Sequence, residues 1–253
     1  MSGEFLRTEM LLGEEALEKL NKSTVLVFGL GGVGSHTALA LARCGIGRMI
    51  IVDNDRVNLT NINRQAIAFH STIGRLKTEV TKELLLDINP DIKVVTNESF
   101  VLPGNLDGLI TDEVNYIVDA IDTVTAKLAI AELAAEKGIP VISCMGTGNK
   151  LNPQEFRIAD ISQTRMCPLC KVMRKELKNR GITRLKVLYS EEKPLTPRFE
   201  PDGEEKGARR SVPGSVAFVP PVAGLMIAAE VVRGLSGVQA AACLTEKDTQ
   251  RRL

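Results

Sequence analysis

A chain of 253 residues that is 44% hydrophobic, only 4% aromatic and without tryptophan has material for one large core, which must be aliphatic and alanine-rich. Lys and Arg (32) nearly balance Asp and Glu (31), for a formal net charge of +1, so nucleic-acid contact would have to come from a local patch. An odd set of five cysteines argues against a disulfide framework and for reduced thiols, and no charged and apolar leader opens the chain, so nothing suggests export and a cytoplasmic location is expected.

In chain order, a helix is expected over Glu14–Leu20, then an apolar strand, Thr24–Phe28. The strand runs into GLGGVG, where Gly29, Gly31 and Gly34 satisfy G-x-G-x-x-G and Gly32 lies between them. Such glycines permit a tight turn, close approach of backbone to phosphate and close helix–strand contact. The small, apolar segment Val33–Cys44 supplies the helix, whose N-terminus turns unpaired N–H groups and a partial positive charge toward an anion. The next strand, Arg48–Val52, ends in Asp53, about 20 positions past the glycines, where this fold type carries its ribose-binding carboxylate. Strand, turn, helix, strand and acid in that order favour a nucleotide site over a purely structural glycine turn.

A dinucleotide would use the same pieces, so the following residues decide. Asp53-Asn54-Asp55 precedes Asn61-Ile62-Asn63-Arg64-Gln65 and then Lys77, expected to open a helix over Leu76–Ile88 that Asn89-Pro90 ends. Converging on the glycine turn, Arg64 and Lys77 would neutralise a triphosphate and stabilise charge on an α-phosphate under attack, with Asn61 and Gln65 as neutral donors. Singly, each cation reads more simply as a surface salt bridge; the set, spaced behind Asp53 and Asp55, points to function.

A strand over Ile92–Asn97 precedes a buried parallel strand, Asn115–Asp119, with carboxylates at its C-terminal end, where ligands bind in open α/β sheets. Asp122, on the turn into the helix Thr125–Lys137, is the better candidate to face the site and hold a magnesium ion bridging phosphates; capping that helix is its other reading. Asp119 is either structural or a partner of the following loop. With the strand Val141–Met145, the alternation implies an α/β fold: a Rossmann-like, doubly wound, largely parallel sheet covered on both faces. Strands and two helices are expected after about Leu151, within one domain divided into a nucleotide-binding part (about 1–150) and a substrate-facing part (about 151–253).

This constellation resembles the ThiF/MoeB/HesA adenylating enzymes, related to ubiquitin-activating proteins, from about Phe5 to Gly148. The resemblance implies that Asp53 holds the ribose, that Asp55, Asn61, Arg64, Gln65 and Lys77 form the polar and cationic ATP-binding set, and that Asp122 is the metal-linked acid for Mg2+. An N-terminal arginine that reaches the partner subunit's phosphates falls on Arg7. The implied reaction is attack of a carboxylate on the α-phosphate of ATP, giving an acyl-adenylate and pyrophosphate.

Downstream, Ile139–Gly148 with Asn149–Pro153, Ala159–Gln163, Cys167–Ile182, Lys186–Ser190 and 212–221 resemble one branch of that family, the tRNA threonylcarbamoyladenosine dehydratases. The carboxylate is then that of threonylcarbamoyladenosine in tRNA. Its adenylation lets the modification's own nucleophile close a ring and expel AMP, with net loss of water. Intramolecular attack has a high effective concentration, so no enzyme nucleophile is obligatory. The resemblance implies a homodimer; a monovalent cation and a sulfur-relay protein partner are left open. The alternatives are activation of a small sulfur-carrier protein's C-terminal carboxylate, and a nucleotide-binding or redox protein of the same fold.

Carrier activation usually accompanies a zinc held by two CxxC pairs. Here Cys167-Pro-Leu-Cys170 stands alone, so no zinc is expected; these two cysteines read as partly buried side chains at the start of a helix over Pro168–Asn179, and Cys243 as inert. Lys171, Arg174, Lys175, Lys178, Arg180, Arg184 and Lys186 form a basic cluster, with Lys171, Arg174, Lys175 and Lys178 on one helix face: a solvated surface or an RNA contact. The Pro- and Gly-rich stretch 192–211, with Arg209 and Arg210, reads as a mobile loop that closes over the site or meets RNA. The apolar run 212–232 contains Pro213, Pro220 and Pro221 and is a core or dimer-interface helix rather than a membrane span.

Overall fold

Each short apolar run of the first half becomes one strand of a single sheet, and each small, Ala- or Leu-rich run between them becomes a helix laid on it. The structure, a computed structural model, describes residues 3–199 and 213–238. Helix α1 (Leu6–Leu12), which the sequence did not announce, leads through Gly13 into α2 (Glu14–Lys22). Then follow β1 (Thr24–Phe28), α3 (Gly34–Arg43), β2 (Arg48–Val52), α4 (Lys77–Ile88), β3 (Lys93–Asn97), β4 (Tyr116–Asp119), α5 (Val124–Lys137) and β5 (Val141–Cys144). The second half adds β6 (Phe156–Asp160), α6 (Pro168–Asn179), β7 (Lys186–Ser190) and α7 (Pro220–Ser236).

The seven strands lie in the order β3-β2-β1-β4-β5-β7-β6. Among the described strands only β6 runs antiparallel, against β7; the other strand pairs are parallel. Parallel strands need crossovers, which put helices on both faces and bury β1 completely. On one face Val25, Val27, Ile51 and Val118 pack with Leu41 of α3, Leu85 of α4 and Ile227 of α7. On the other, Leu26, Phe28, Ile50 and Ile117 meet Ile130 of α5, and α6 covers the far end, with Met173 and Leu177 in one cluster with Val187 of β7.

Winding reverses at β1, which has β2 on one side and β4 on the other. The turns after these two strands therefore diverge, and the crevice they leave at the C-terminal strand ends is where such sheets bind ligands. Helix α7 closes one side of it. Gly224 lets α7 cross α3 closely: a Cβ there would lie 2.5 Å from the Val33 carbonyl oxygen, and Thr37 Oγ1 donates to the Gly224 carbonyl at 3.0 Å. The expected helix in 212–232 thus starts only at Pro220, proline being favoured in a helix's first turn. Among the described residues no helix is long and apolar enough to cross a membrane.

Candidate active site

The glycine turn divides into two pairs. Gly29 has φ +85°, and a Cβ on it would meet the Ala120 carbonyl oxygen at 2.8 Å; a Cβ on Gly34 would lie 1.8 Å from the Gly29 carbonyl oxygen. These two glycines let β1, the end of β4 and the start of α3 touch backbone to backbone. Gly31 and Gly32 face the crevice instead, Gly31 with Gln65 Nε2 at 4.0 Å from its Cβ position and Gly32 against Pro220 and Arg64.

At the end of β2, Asp53 Oδ2 accepts from the Leu30 amide at 2.6 Å and Oδ1 accepts from the Asp55 amide at 2.8 Å. Helix α4 starts at Lys77, whose amide donates to the Asp55 carbonyl at 3.0 Å. The Lys77 side chain, 6% exposed, reaches back to place Nζ 2.8 Å from Asp55 Oδ2 and 3.9 Å from Asp53 Oδ1, with the Asp53 side chain 8% exposed. Burial pushes the Asp53 carboxyl above its ordinary value, against the opposing pull of Lys77 and the two amides. A cation in the first turn of a helix opposes the helix dipole, so the two aspartates are what hold Lys77 there.

The loop 58–65 is locked by its own side chains. Asn61 Oδ1 accepts from the Asn58 amide at 3.0 Å, and Arg64 Nη1 donates to the Thr60 carbonyl and to Asn63 Oδ1, each at 2.9 Å. Burial draws the half-buried Arg64 below its ordinary pKa. Gln65 is buried and its Oε1 has no hydrogen-bond partner, and the same holds for Ser215 Oγ. Asn63 Nδ2 donates to the Ser215 carbonyl at 3.0 Å, tying this loop to the segment that leads into α7. Two orphaned buried polar atoms in the same walls are what a polar ligand would complete.

Asp122 follows β4 and is exposed, with no hydrogen bond or ion pair to the described residues. The cap position of α5 belongs to Thr123, so the capping alternative for Asp122 is corrected. Asp119 is structural: it is buried, takes Lys127 Nζ at 3.0 and 3.1 Å, and accepts weakly from the Ile121 amide at 3.3 Å. Lys127 also donates to Ser143 Oγ at 3.2 Å and to the Cys144 carbonyl at 2.7 Å, clamping the ends of β4 and β5. Sequence reasoning missed Lys127, because a lysine inside an alanine-rich helix carries no spacing signal toward its partners. Arg7 stands exposed on α1, which packs on α2; within one chain no hydrogen bond or ion pair joins it to this cluster.

The rim continues past β5. Asn149 (φ +57°) donates its amide to the Gly214 carbonyl at 2.8 Å and accepts the Gly214 amide on Oδ1 at 2.7 Å. Lys150 Nζ donates to the Glu192 carbonyl at 2.6 Å. Cys167 occupies the cap position of α6 and Cys170 its first turn, both buried. Hydrogen bonding from Cys170 and from the amides of Cys170, Leu169 and Gly146 draws the Cys167 thiol down, and Cys170 is pushed up in return. Among the described residues no group of three or more His, Cys, Asp or Glu side chains is placed to hold a metal ion. Cys243, Arg209, Arg210 and the larger part of the expected loop 192–211 lie outside the described residues. Beside Arg64 and Gln65 a cleft of about 490 Å³ opens between α3 and the 62–69 segment, lined by His36, Phe69 and Leu225.

Comparison with known proteins gives a consistent picture. The ThiF family matches residues 5–251. A Bacillus subtilis protein named tRNA threonylcarbamoyladenosine dehydratase is 40% identical over 242 residues, 93% of this chain and 95% of the relative. The Escherichia coli protein of the same name is 37% identical over 68% of this chain and 64% of its own length. Among solved structures, E. coli tRNA N6-threonylcarbamoyladenosine dehydratase in complex with ATP superposes with TM-score 0.81 at 29% identity, over 94% of this chain and 96% of that one. Its AMP complex gives 0.80 at 30% identity, over 92% and 95%.

Proposed function

The chain belongs to the ThiF family, and from that premise we infer that it is an ATP-dependent enzyme that adenylates the carboxylate of threonylcarbamoyladenosine in tRNA and promotes its cyclic dehydration. The observation that carries the site assignment is the buried Lys77 ammonium, 2.8 Å from Asp55 and 3.9 Å from Asp53 beside the glycine turn. Hydride transfer needs no buried cation beside the ribose acid, whereas transfer of an adenylyl group develops charge on the α-phosphate that a preorganised cation stabilises. In this reading Asp53 takes the ribose hydroxyls, and Gly31 and Gly32 pass the phosphates close to the backbone. Gln65 offers its amide to the nucleotide, Asn61 shapes the loop, and Arg64 and Lys77 meet the phosphates. The carboxylate oxygen bonds to the α-phosphorus as pyrophosphate leaves; ring closure by the substrate's own nucleophile then releases AMP.

Asp122 fits a magnesium ion, which binds through one or two carboxylates together with substrate phosphates and needs no all-protein cage. The metal would neutralise phosphate charge there. Exposed Leu59, Phe69, Phe218 and Leu225 on the α3–α7 side support a homodimer, with Arg7 given to the partner's site. The chain is read as one adenylating domain. A cytoplasmic setting suits the tRNA substrate and the four free cysteines of the described residues. The monovalent cation and the sulfur-relay partner rest on the sequence resemblance alone. The test is ATP-to-AMP turnover with tRNA carrying, or lacking, threonylcarbamoyladenosine. Stimulation by the modified pool only, with a product nucleoside lighter by one water, is expected; stimulation by a Gly-Gly-ending carrier protein instead would replace this reading.

A further inference from the structure

The basic cluster of the sequence resolves into two groups. Arg174 turns inward, donating through Nη1 to the Ile161 and Thr164 carbonyls at 3.1 and 2.8 Å and to Thr164 Oγ1 at 2.8 Å. Arg180 pairs with Glu132 and Glu176 at 3.0 Å each, and Lys186 with Glu230 at 2.7 Å. Lys171, Lys175, Lys178 and Arg184 remain exposed, with no carboxylate partner among the described residues. The spacing of the three lysines places them in one row on α6, steps of about 6 and 4.5 Å along its axis.

This row runs against the helix's own stability. On α2 the exposed lysines are matched to an acid one turn earlier, Lys19 to Glu15 at 2.8 Å and Lys22 to Glu18 at 3.2 Å. On α6 the first turn has no acid. Lys171 and Lys175 repel each other at i,i+4, as do Lys175 and Lys178 at i,i+3, and Lys171 closes a first turn whose dipole disfavours cations. The acid of the helix, Glu176, is taken by Arg180. Position adds the second argument. Cys167 and Cys170, at the start of α6, share a buried cluster with Met145, which directly follows β5, parallel to and beside β4. The row therefore begins at the strand ends where Asp122 and the glycine turn lie.

We propose that the outward face of α6, Lys171, Lys175 and Lys178 continued by Arg184, binds the phosphate backbone of the tRNA substrate and leads the modified nucleoside to the crevice. This rests on the tRNA reading above. Phosphates supply the missing negative charge in a row, and each neutralised phosphate releases counterions.

The test compares the full-length chain with the triple variant Lys171→Gln, Lys175→Gln, Lys178→Gln, in which glutamine removes the charge at a helix propensity close to that of lysine and preserves folding. With tRNA carrying threonylcarbamoyladenosine, KM and Kd are expected to rise roughly tenfold or more while kcat at saturation and ATP binding hold. The slope of log Kd against log salt should fall by about 2 to 3, at 0.7 to 0.9 per lost contact. Wild-type turnover with an unchanged KM and salt slope in the variant overturns the α6 assignment alone. Wild-type protein that ignores the modified tRNA overturns the function reading and this one with it. Unchanged tRNA affinity with lost binding of an acidic carrier protein gives the face to a protein partner and overturns the proposal.

Discussion

Lys77 and Arg64 differ in what their loss leaves behind. Lys77→Ala strands Asp53 and Asp55 facing each other without the cation between them, and Arg64→Ala frees the Thr60 carbonyl and Asn63. Each is expected to slow adenylation by roughly 100-fold or more, as removal of one preorganised charge donor does; AMP formation at saturating tRNA measures it, and near-normal rates in both variants would move the site elsewhere. Asp122→Asn should leave the melting temperature unchanged, since the side chain has no partner to lose among the described residues, while raising the magnesium concentration needed for half-maximal turnover. The cysteines separate by pH. Burial raises Cys44 and takes Cys144 to about 12, whereas Cys167 is lowered. The thiolate is the reactive form, so Cys167 gains reactivity at a lower pH than either. Mild alkylation at neutral pH followed by peptide mass mapping should find Cys167 labelled first of these three, and equal labelling would contradict the lowered Cys167 thiol.

At the scale of elements, the turn and the clamp make opposite demands. Gly34→Ala forces a Cβ to within 1.8 Å of the Gly29 carbonyl oxygen, so stability should fall by about 1–3 kcal/mol or more. Gly31→Ala meets nothing closer than Gln65 Nε2 at 4.0 Å and should keep stability while raising the KM for ATP; thermal melts and ATP kinetics on the pair separate architecture from ligand contact. Lys127→Met removes the cation from buried Asp119 and should cost about 3–5 kcal/mol, because an uncompensated charge stays behind. Urea unfolding checks this. Most elements were legible: β1 and β2 match their apolar runs, and α6 begins at Pro168 and ends at Asn179 as its proline and amphipathic pattern imply. Helix α1 was not, because its buried anchor, Phe5, precedes it and no residue within it is buried. The shared basic face of α6 was read too broadly: Arg174 sits at helical spacing with the lysines, but the Thr164 and Ile161 carbonyls draw it inward.

At the scale of the whole molecule, Arg7 is the test of assembly. Exposed on α1 and unconnected to the glycine turn within one chain, it can act only if a second copy brings it. Arg7→Ala and Lys77→Ala, each weak alone, should then regain activity when mixed and allowed to exchange subunits, because one site in the mixed dimer holds both wild-type residues; no recovery in confirmed mixed dimers would place Arg7 outside catalysis.

The sequence by itself determined the α/β order of the sheet's first half and the family, since glycine spacing, strand-end acids and the asparagine–arginine–glutamine run are local patterns that short-range sterics and charge make readable. Only the tertiary structure decided how those residues meet. The order β2-β1-β4 sets Asp53 and Asp122 on either side of one turn, the return of α4 buries Lys77 between two aspartates, and the 213–219 segment links Arg64's loop to the strand ends. It also decided which cations stay outward on α6. Such partners lie tens of residues apart, and their pairing follows from packing and desolvation across the folded sheet, which no spacing along the chain encodes.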